Sequence, residues 1–439
     1  MRLTARLTAV AVLGSAAGAT AADTYTFRNL YETTDPMTAP GLPALNEAGT
    51  VVFRGGTGLF AAAPAAATAS PVALGTVTLA PAADPRVNAG GTIAFPGSRP
   101  ADAPADAPRA GVYTIAATGG AVRRVYEAPA FGDFPFDDPT FLRPPRPFVD
   151  IDTAGRVAFS TIEDGQGTVF LTDASAGDFP PRTVLRQGSG TFYNTNKAID
   201  LTDAGRLAVQ FEYTDPGRGL ARGVFLLDAA SPNPALTETT TALEKMSIST
   251  QPTPALDAAG NAVLSLSVND VLKGFAGGDV PLARGLYVTP GGAFDSDIGA
   301  RLTKLVGDEG AFATFADSAG VSDGGTILFR ATLDDGTDGL FLADVAGGPV
   351  GTDPLVGVGD PLFGSTITGF GSFLGQPLGV SPDALNDAGT VTFRATLADG
   401  RTVVVRADAA AIPLPPAALA AAPVLAGIAG WTRRRTASR

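Results

Sequence analysis

The chain has 439 residues, 45% of them hydrophobic and 17% charged, so it is too apolar for a disordered protein and too long for one small core. It contains no cysteine and no histidine, which excludes disulfides, thiol nucleophiles, imidazole-dependent catalytic triads and Cys/His zinc sites. Its net charge of −12 disfavours nucleic acid as a partner, and its 54 glycines and 35 prolines among many β-forming residues predict a turn-rich all-β protein.

Residues 1–21 are predicted to be a signal peptide. Arg2 and Arg6 precede an apolar stretch from Leu7 to Ala17, and an A-x-A cleavage site follows at residues 19–21. The mature chain is therefore expected to begin at Ala22 or Asp23 and to be exported. A buried N-terminal helix is the alternative interpretation of the same stretch.

The segment 22–411 is built on a repeated phrase, first seen as Asn46-Glu-Ala-Gly49-Thr-Val-Val-Phe53. Seven copies occur, with their glycines 42 to 65 residues apart. Asn or Asp at the first position is expected to bond the backbone two residues on, and Gly at the fourth is expected to close a hairpin loop in the left-handed conformation. The predicted turn residues are Asn46, Gly49, Asn88, Gly91, Asp152, Gly155, Asp257, Gly260, Gly325, Asn386 and Gly389, with a degraded copy from Thr202 to Gly205.

Each copy predicts a unit of four strands. A short apolar strand precedes the turn in several copies, and an alternating strand follows it. Third strands are predicted at Gly58–Phe60, Gly111–Tyr113, Gly167–Leu171, Gly223–Leu226, Gly285–Val288, Gly339–Leu342 and Thr402–Val405. Fourth strands are predicted at Thr76–Leu79, Val122–Tyr126, Thr183–Arg186, Leu302–Val306 and Pro354–Val358, with a weak copy near Ala235–Thr240.

The last unit has no fourth strand of its own, whereas a spare strand, Tyr25–Tyr31, precedes the first unit. We expect this N-terminal strand to complete the last unit beside Thr402–Val405. Seven four-stranded units closed in this way predict a seven-bladed β-propeller over residues 22–411. An open stack of β repeats is the alternative architecture.

Residues 412–439 predict a C-terminal sorting signal. Ile412, Pro413, Leu414 and Pro415 precede an apolar run at 417–431, expected to form a short transmembrane helix, and Arg433, Arg434 and Arg435 follow. This tail resembles the VPLPA variant of the PEP-CTERM sorting signals of Gram-negative bacteria, with Ile412 in place of the usual Val. The resemblance implies cleavage by an exosortase-type protease after a transient inner-membrane stage. A permanent C-terminal anchor is the alternative.

The repeats, over most of residues 24–406, resemble the tandem NxxGxxAF-type repeat proteins of bacterial surfaces. That resemblance implies a location and an architecture, and it implies no chemistry. We therefore expect an exported, non-catalytic binding or adhesion module of the cell surface, outer membrane or biofilm matrix, with a polysaccharide or another surface polymer as its partner. A purely structural matrix component is a further alternative.

Three groups of residues are candidates for chemistry. The acidic loops at 150–152, 163–167 and 334–339 offer oxygen ligands for calcium, but none has EF-hand spacing, so ordinary turns are the favoured interpretation and no cofactor is predicted. Asp150, Asp152 and Glu163 are the best candidates for the carboxylates of a polysaccharide hydrolase or lyase, the alternative function. The aromatic, Pro-rich stretch 128–148 is either a binding loop or a connection between units.

Overall fold

In the computed structural model the described residues are 25–80, 84–99, 109–127, 148–163, 166–172, 182–186, 198–215, 219–228, 244–248, 253–267, 270–272, 280–289, 302–347, 350–373, 376–377 and 379–409. Apart from one 3-10 turn at Pro36–Thr38, their regular structure consists of strands, which confirms the all-β class. No helix in this part of the chain is long and apolar enough to cross a membrane. The predicted signal peptide, the sorting signal, the weak strand at 235–240 and residues 128–147 lie outside the described residues.

The strands form seven antiparallel sheets of four or five strands and two small ribbons, numbered in chain order. The chain begins with β1 (Tyr25–Thr33), and sheet 1 follows with β2 (Ala44–Leu45), β3 (Val51–Gly55), β4 (Gly58–Ala62) and β5 (Ser70–Val72). Sheet 2 contains β6 (Thr78–Leu79), β7 (Arg86–Val87), β8 (Thr92–Arg99), β9 (Arg109–Ala116) and β10 (Arg123–Glu127). Sheet 3 contains β11 (Val149–Ile151), β12 (Val157–Glu163), β13 (Gln166–Thr172) and β14 (Arg182–Arg186).

The remaining sheets continue the same pattern. Sheet 4 contains β15 (Ala198–Leu201), β16 (Arg206–Asp215), β17 (Gly219–Asp228) and β18 (Glu244–Ile248). Sheet 5 contains β19 (Ala255–Leu256), β20 (Ala262–Leu266), the separate ribbon β21 (Asp270–Leu272) and β22 (Val280–Leu282), then β23 (Gly285–Thr289) and β24 (Thr303–Gly307). Sheet 6 contains β25 (Phe312–Val321), β26 (Thr326–Leu333), β27 (Asp338–Asp344) and β28 (Val356–Gly357). Sheet 7 contains β29 (Pro361–Leu362), β30 (Ser365–Gly369), the separate ribbon β31 (Ser372–Phe373) and β32 (Gln376–Pro377), then β33 (Val391–Leu397) and β34 (Thr402–Ala409).

The N-terminal strand completes sheet 7. Strand β1 pairs antiparallel with β34, with Asn29 opposite Val405 and Thr33 opposite Thr402, as predicted. Leu30 of this strand is buried in a cluster with residues of sheet 1. One strand from the beginning of the chain therefore pairs with the last strand and packs on the first sheet.

All seven copies of the phrase form the same hairpin turn. The fourth residue is a glycine with φ between +74° and +88°, and its N–H donates to the carbonyl of the first residue. The first side chain accepts the N–H four positions on, as in the 2.7 Å bond from Thr50 N to Asn46 Oδ1, and the other six copies repeat this bond. The predicted bond two positions on is therefore wrong, because the left-handed glycine folds the fifth N–H back over the first side chain.

The phenylalanine that ends the phrase forms the core between sheets. Phe53 faces Phe60 on the third strand, with ring centroids 5.6 Å apart. The outer strand of the preceding sheet covers such a pair, because Tyr126 of sheet 2 lies 4.9 Å from Phe159 of sheet 3. Tyr31 of β1 covers Phe53 in the same way at 5.5 Å. By this packing β1 is the outer strand of sheet 7.

Buried apolar clusters join each sheet to the next, from sheets 1 and 2 onward, and a cluster containing Leu30 and Val404 joins sheet 7 back to sheet 1. This radial arrangement is that of a β-propeller. One strand prediction is wrong: the outer strand of sheet 1 is Ser70–Val72, and Thr78–Leu79 pairs with β8 of sheet 2. The short, Pro-containing Ser70–Val72 gives little strand signal.

Candidate functional site

The first strands and repeat turns enclose a central cavity of about 100 Å³. Residues of all seven sheets line it, including Leu45, Val87, Asp150, Asp200, Leu256, Val321 and Asp383. The position two residues before the turn carries Arg86, Asp150 and Asp200 in sheets 2, 3 and 4, whereas Ala44, Ala255, Gly320 and Ala384 occupy it in the other sheets. At this position of the repeat, charged residues therefore occur on three neighbouring sheets only.

Asp150 and Asp200 are bound to the backbone of the next sheet. Asp150 is 4% exposed and Asp200 6% exposed. Asp150 Oδ2 accepts the N–H of Leu201, and Asp200 Oδ2 accepts the N–H of Leu256, each at 2.5 Å. A first strand is the inner edge of its sheet, so its outward N–H groups need acceptors. The two aspartates supply acceptors across the boundaries between sheets.

The two carboxyls also hydrogen-bond to each other. Burial is the main cause that raises the pKa of Asp200 to about 7, and the charge of Asp383 raises it further. Burial, followed by the negative charges of Asp383 and Asp200, raises the pKa of Asp150 well above its ordinary value. Both shifts favour the protonated form, because two buried negative charges in contact are unfavourable.

Arg86 crosses the cavity from sheet 2 to the segment that enters sheet 7. Its Nη1 donates to Asp383 Oδ2 at 3.1 Å and to Ser381 Oγ. Arg86 is buried, and the guanidinium partly offsets the charge of Asp150 and Asp200. The cavity thus contains an arginine and three carboxyl groups tied to neighbouring strands.

Four carboxylates surround the turn side of the cavity: Glu47, Asp203, Asp323 and Asp387. Asp387 Oδ1 accepts Gly324 N at 2.5 Å, and Glu47 Oε2 accepts Asp387 N at 3.0 Å, so these bonds link successive turns. Burial raises the pKa of Glu47 to about 7, although the bond from Asp387 N opposes the shift. Within the described residues no cluster of three or more acidic side chains has an arrangement that would hold a metal ion.

The predicted carboxylate site is not assembled. Asp150 lines the cavity, while Asp152 opens its turn and forms an ion pair with Arg156 at 2.5 Å. Glu163 pairs with Gln166 at the far end of β12, five residues beyond Ala158, the partner of Asp150. That separation is about 16 Å along the strand, well beyond the spacing of glycosidase carboxylates.

The loop at 334–339 is an ordinary hairpin turn, the favoured prediction. Asp335 Oδ1 accepts Thr337 N at 2.8 Å, Gly336 has φ of +89°, and Asp338 forms an ion pair with Arg330. The sequence missed Arg86, Asp200 and Asp383 as cavity residues. The signal that would have found the first two is their shared position, two residues before the repeat turn.

The fold is similar to solved β-propellers at low sequence identity. The β-propeller domain of the Trilobed protease from Pyrococcus furiosus is 12% identical over 86% of this chain and 100% of that chain, with a TM-score of 0.45. The Dos1 propeller is 12% identical over 88% of this chain and 96% of that one, with a TM-score of 0.43. The tricorn protease is 13% identical over 87% of this chain, with a TM-score of 0.44, and the match spans 34% of its length. Neither a protein-family model nor a curated protein matches this chain.

Proposed function

We propose that this chain is an exported, non-catalytic β-propeller of the bacterial surface or extracellular matrix, which binds a polysaccharide or another surface polymer. The observed fold supports the β-propeller scaffold, and the remaining parts of the proposal have other grounds. Export and surface delivery rest on the two ends of the sequence. Polymer binding is proposed from the surface location that the repeat resemblance implies and from the hydrogen bonds that already engage the carboxyls of the central cavity.

We further propose that the seven sheets are the blades of one closed ring. The turns support this, because they are joined in succession. Asn46 Nδ2 donates to Asn88 O at 2.6 Å, and Asn88 Nδ2 donates to Asp152 O at 2.9 Å. Asn386 Nδ2 donates to Asn46 O at 3.3 Å, which links the last turn to the first.

The observation that carries the non-catalytic proposal is the use of the cavity carboxyls. Asp150 and Asp200 accept backbone N–H groups of the next sheets and bond to each other. The cavity of about 100 Å³ is also small, since small-molecule sites usually measure roughly 300–1,000 Å³. The cavity is thus small for a sugar ring, and we place polymer binding on the outer surface of the propeller.

The second candidate is a carboxylate-dependent polysaccharide hydrolase or lyase. One observation favours it: the pKa of Asp200 is raised to about 7 beside a second carboxyl, and catalytic acids often have such environments. If this function is correct, Asp200→Asn abolishes release of reducing ends from the host's exopolysaccharide. Under the proposal preferred here, neither the parent nor the variant releases them.

The test of polymer binding is a glycan-array profile of the purified full chain, repeated with and without calcium, followed by co-sedimentation with the host's own exopolysaccharide. We expect saturable binding to a restricted set of glycans that EDTA does not abolish. Binding to no glycan and no sedimentation with the polymer would contradict the proposal and favour a purely structural component. If binding strictly required calcium, the prediction that the protein has no cofactor would be wrong.

A further inference from the structure

Neighbouring sheets are joined in two different ways around the central cavity. At the boundaries 7/1, 6/7 and 5/6, a backbone N–H of one sheet donates to a backbone carbonyl of the next. These bonds run from Leu45 N to Asp383 O at 2.7 Å, from Val321 N to Pro382 O at 3.0 Å and from Thr253 N to Asp317 O at 2.9 Å. A backbone carbonyl does not titrate, so these three bonds do not depend on protonation.

Sheet 4 is joined to sheets 3 and 5 by acidic side chains. Within the described residues, three backbone N–H groups bond across these two boundaries, and every acceptor is an aspartate oxygen. The bonds run from Thr153 N to Asp203 Oδ1, from Leu201 N to Asp150 Oδ2 and from Leu256 N to Asp200 Oδ2. A carboxyl changes its charge with pH, so the contacts that hold sheet 4 depend on the protonation of their acceptors.

Too little positive charge faces the buried pair for both aspartates to ionise favourably. Asp150 and Asp200 bond to each other, and the carboxylate of Asp383 acts on both of them. Arg86 is the cation that opposes this charge, and it already forms an ion pair with Asp383 at 3.1 Å. Three further carboxylates line the turn side of the same cavity: Glu47, Asp203 and Asp323. Full ionisation therefore places excess negative charge between sheets 3, 4 and 5, where it is buried.

We propose that the two boundaries of sheet 4 form a pH-sensitive seam, which opens the central cavity as Asp150 and Asp200 lose their protons. Opening separates the first strands of sheets 3, 4 and 5 and breaks the bonds from Leu201 N and Leu256 N. The boundaries closed by backbone carbonyls stay shut. This device goes beyond the proposed function, because it concerns the cavity and not the surface on which we place polymer binding.

The direction of the effect follows from the difference in solvation between the closed and open seam. In the closed seam, burial raises the pKa of Asp200 from 3.8 to about 7. In the open seam, water reaches the carboxyl and its pKa returns toward the ordinary value. Opening is therefore coupled to proton release. Its equilibrium constant rises about tenfold per pH unit between these two values for each carboxyl that responds in this way.

The test is hydrogen–deuterium exchange of the purified full chain, followed by mass spectrometry and corrected for the intrinsic effect of pH on amide exchange. The reporter amides are Leu201 N and Leu256 N, and the reference amides are Leu45 N and Val321 N. Between about pH 5 and about pH 7, we expect protection of the reporter amides to fall about tenfold per pH unit relative to the reference amides.

Two variants remove one ionisable group each and keep an oxygen that can accept the same N–H. Asp150→Asn and Asp200→Asn should each flatten the pH dependence of protection at the boundaries of sheet 4. The control is Asp257→Asn, which makes the same chemical change at a buried repeat turn where asparagine stands in three other copies. It should respond to pH like the parent.

The comparison between reporter and reference amides decides whether the seam exists. Equal loss of protection at reporter and reference amides, or protection in the parent that does not change with pH, would overturn the inference. A parent-like pH response in both Asp150→Asn and Asp200→Asn would also overturn it. Thermal melting shows which variants fold. If one does not fold, the other is decisive, and if neither folds, the parent's reporter and reference amides give the answer.

Discussion

At the scale of single residues, the first residue of the phrase can form two independent kinds of hydrogen bond. Its side-chain oxygen accepts the N–H four residues on in all seven copies, so Asn, Asp, Ser and Thr all suffice. Asparagine has an additional role, because its amide also donates to the next turn, as Asn88 does to Asp152 O. A turn that begins with asparagine therefore has one more hydrogen bond to a neighbouring turn than the shared side-chain acceptor provides.

We predict that Asn88→Asp destabilises the protein by about 1–3 kcal/mol, because it keeps the acceptor and removes the buried donor. Urea unfolding measures the change. Thr202→Ser is the control, since serine keeps the oxygen that accepts Arg206 N. A variant Asn88→Asp that unfolds at the parent's urea midpoint would show that the amide bond between turns contributes nothing.

The buried pair Asp150 and Asp200 predicts a dependence of stability on pH. The pKa of Asp200 is raised from 3.8 to about 7 in the folded protein. The folded state therefore holds the proton more tightly than the unfolded chain, and the free energy of unfolding falls as the pH rises between these values. Asp200→Asn should make that decline shallower, as measured by urea midpoints across the range. Asp353→Asn, at an exposed position, is the control, and equal slopes for parent and Asp200→Asn would contradict the prediction.

At the scale of elements, β1 contacts two sheets at once, so its removal is expected to affect both. Leu30 is 2% exposed, and Phe27 and Tyr31 pack their rings on Phe393 and Phe53. Burying a large apolar side chain contributes roughly 1.5–3 kcal/mol when complete, against about 5–15 kcal/mol for a whole domain. The strand also covers the edge of β34, which would otherwise be open to pairing with other chains.

Deletion of residues 23–31 is therefore expected to abolish cooperative unfolding or to cause aggregation. Differential scanning calorimetry and light scattering are the measurements. Thr26→Ala, at an exposed position of the same strand, should melt like the parent. If the deletion variant also melts like the parent, the closed ring is wrong and an open stack of β repeats is the better description.

The strands themselves were largely predictable, because turn chemistry and alternation are local properties. The third strands and β1 lie where the sequence places them. Thr78–Leu79 was assigned to the wrong sheet because pairing depends on neighbours distant in the chain. The cavity site was mostly missed for the same reason: the pKa of Asp200 is raised mainly by burial between sheets and further by the charge of Asp383, which is distant in the chain.

At the scale of the whole molecule, the two ends of the sequence predict its destination. In a host without the exosortase-type protease we expect a larger, membrane-associated form to accumulate. Mass spectrometry of the protein from normal cells should find no peptide containing Arg433, because the proposed sorting step removes the tail from residue 412. Mature surface protein that still carries Arg433 would contradict the sorting proposal and favour a permanent anchor.

The pairing of β1 with β34 also fixes when folding can finish. Glu32 and Arg401 form an ion pair across 369 residues of sequence, and closing a flexible loop of that length costs about 5 kcal/mol of chain entropy. The first strand to emerge from the ribosome must wait for the last one before it has a partner. During that delay β1 is an unpaired, aromatic strand, so the vulnerable period for misassembly lasts as long as synthesis of the whole propeller.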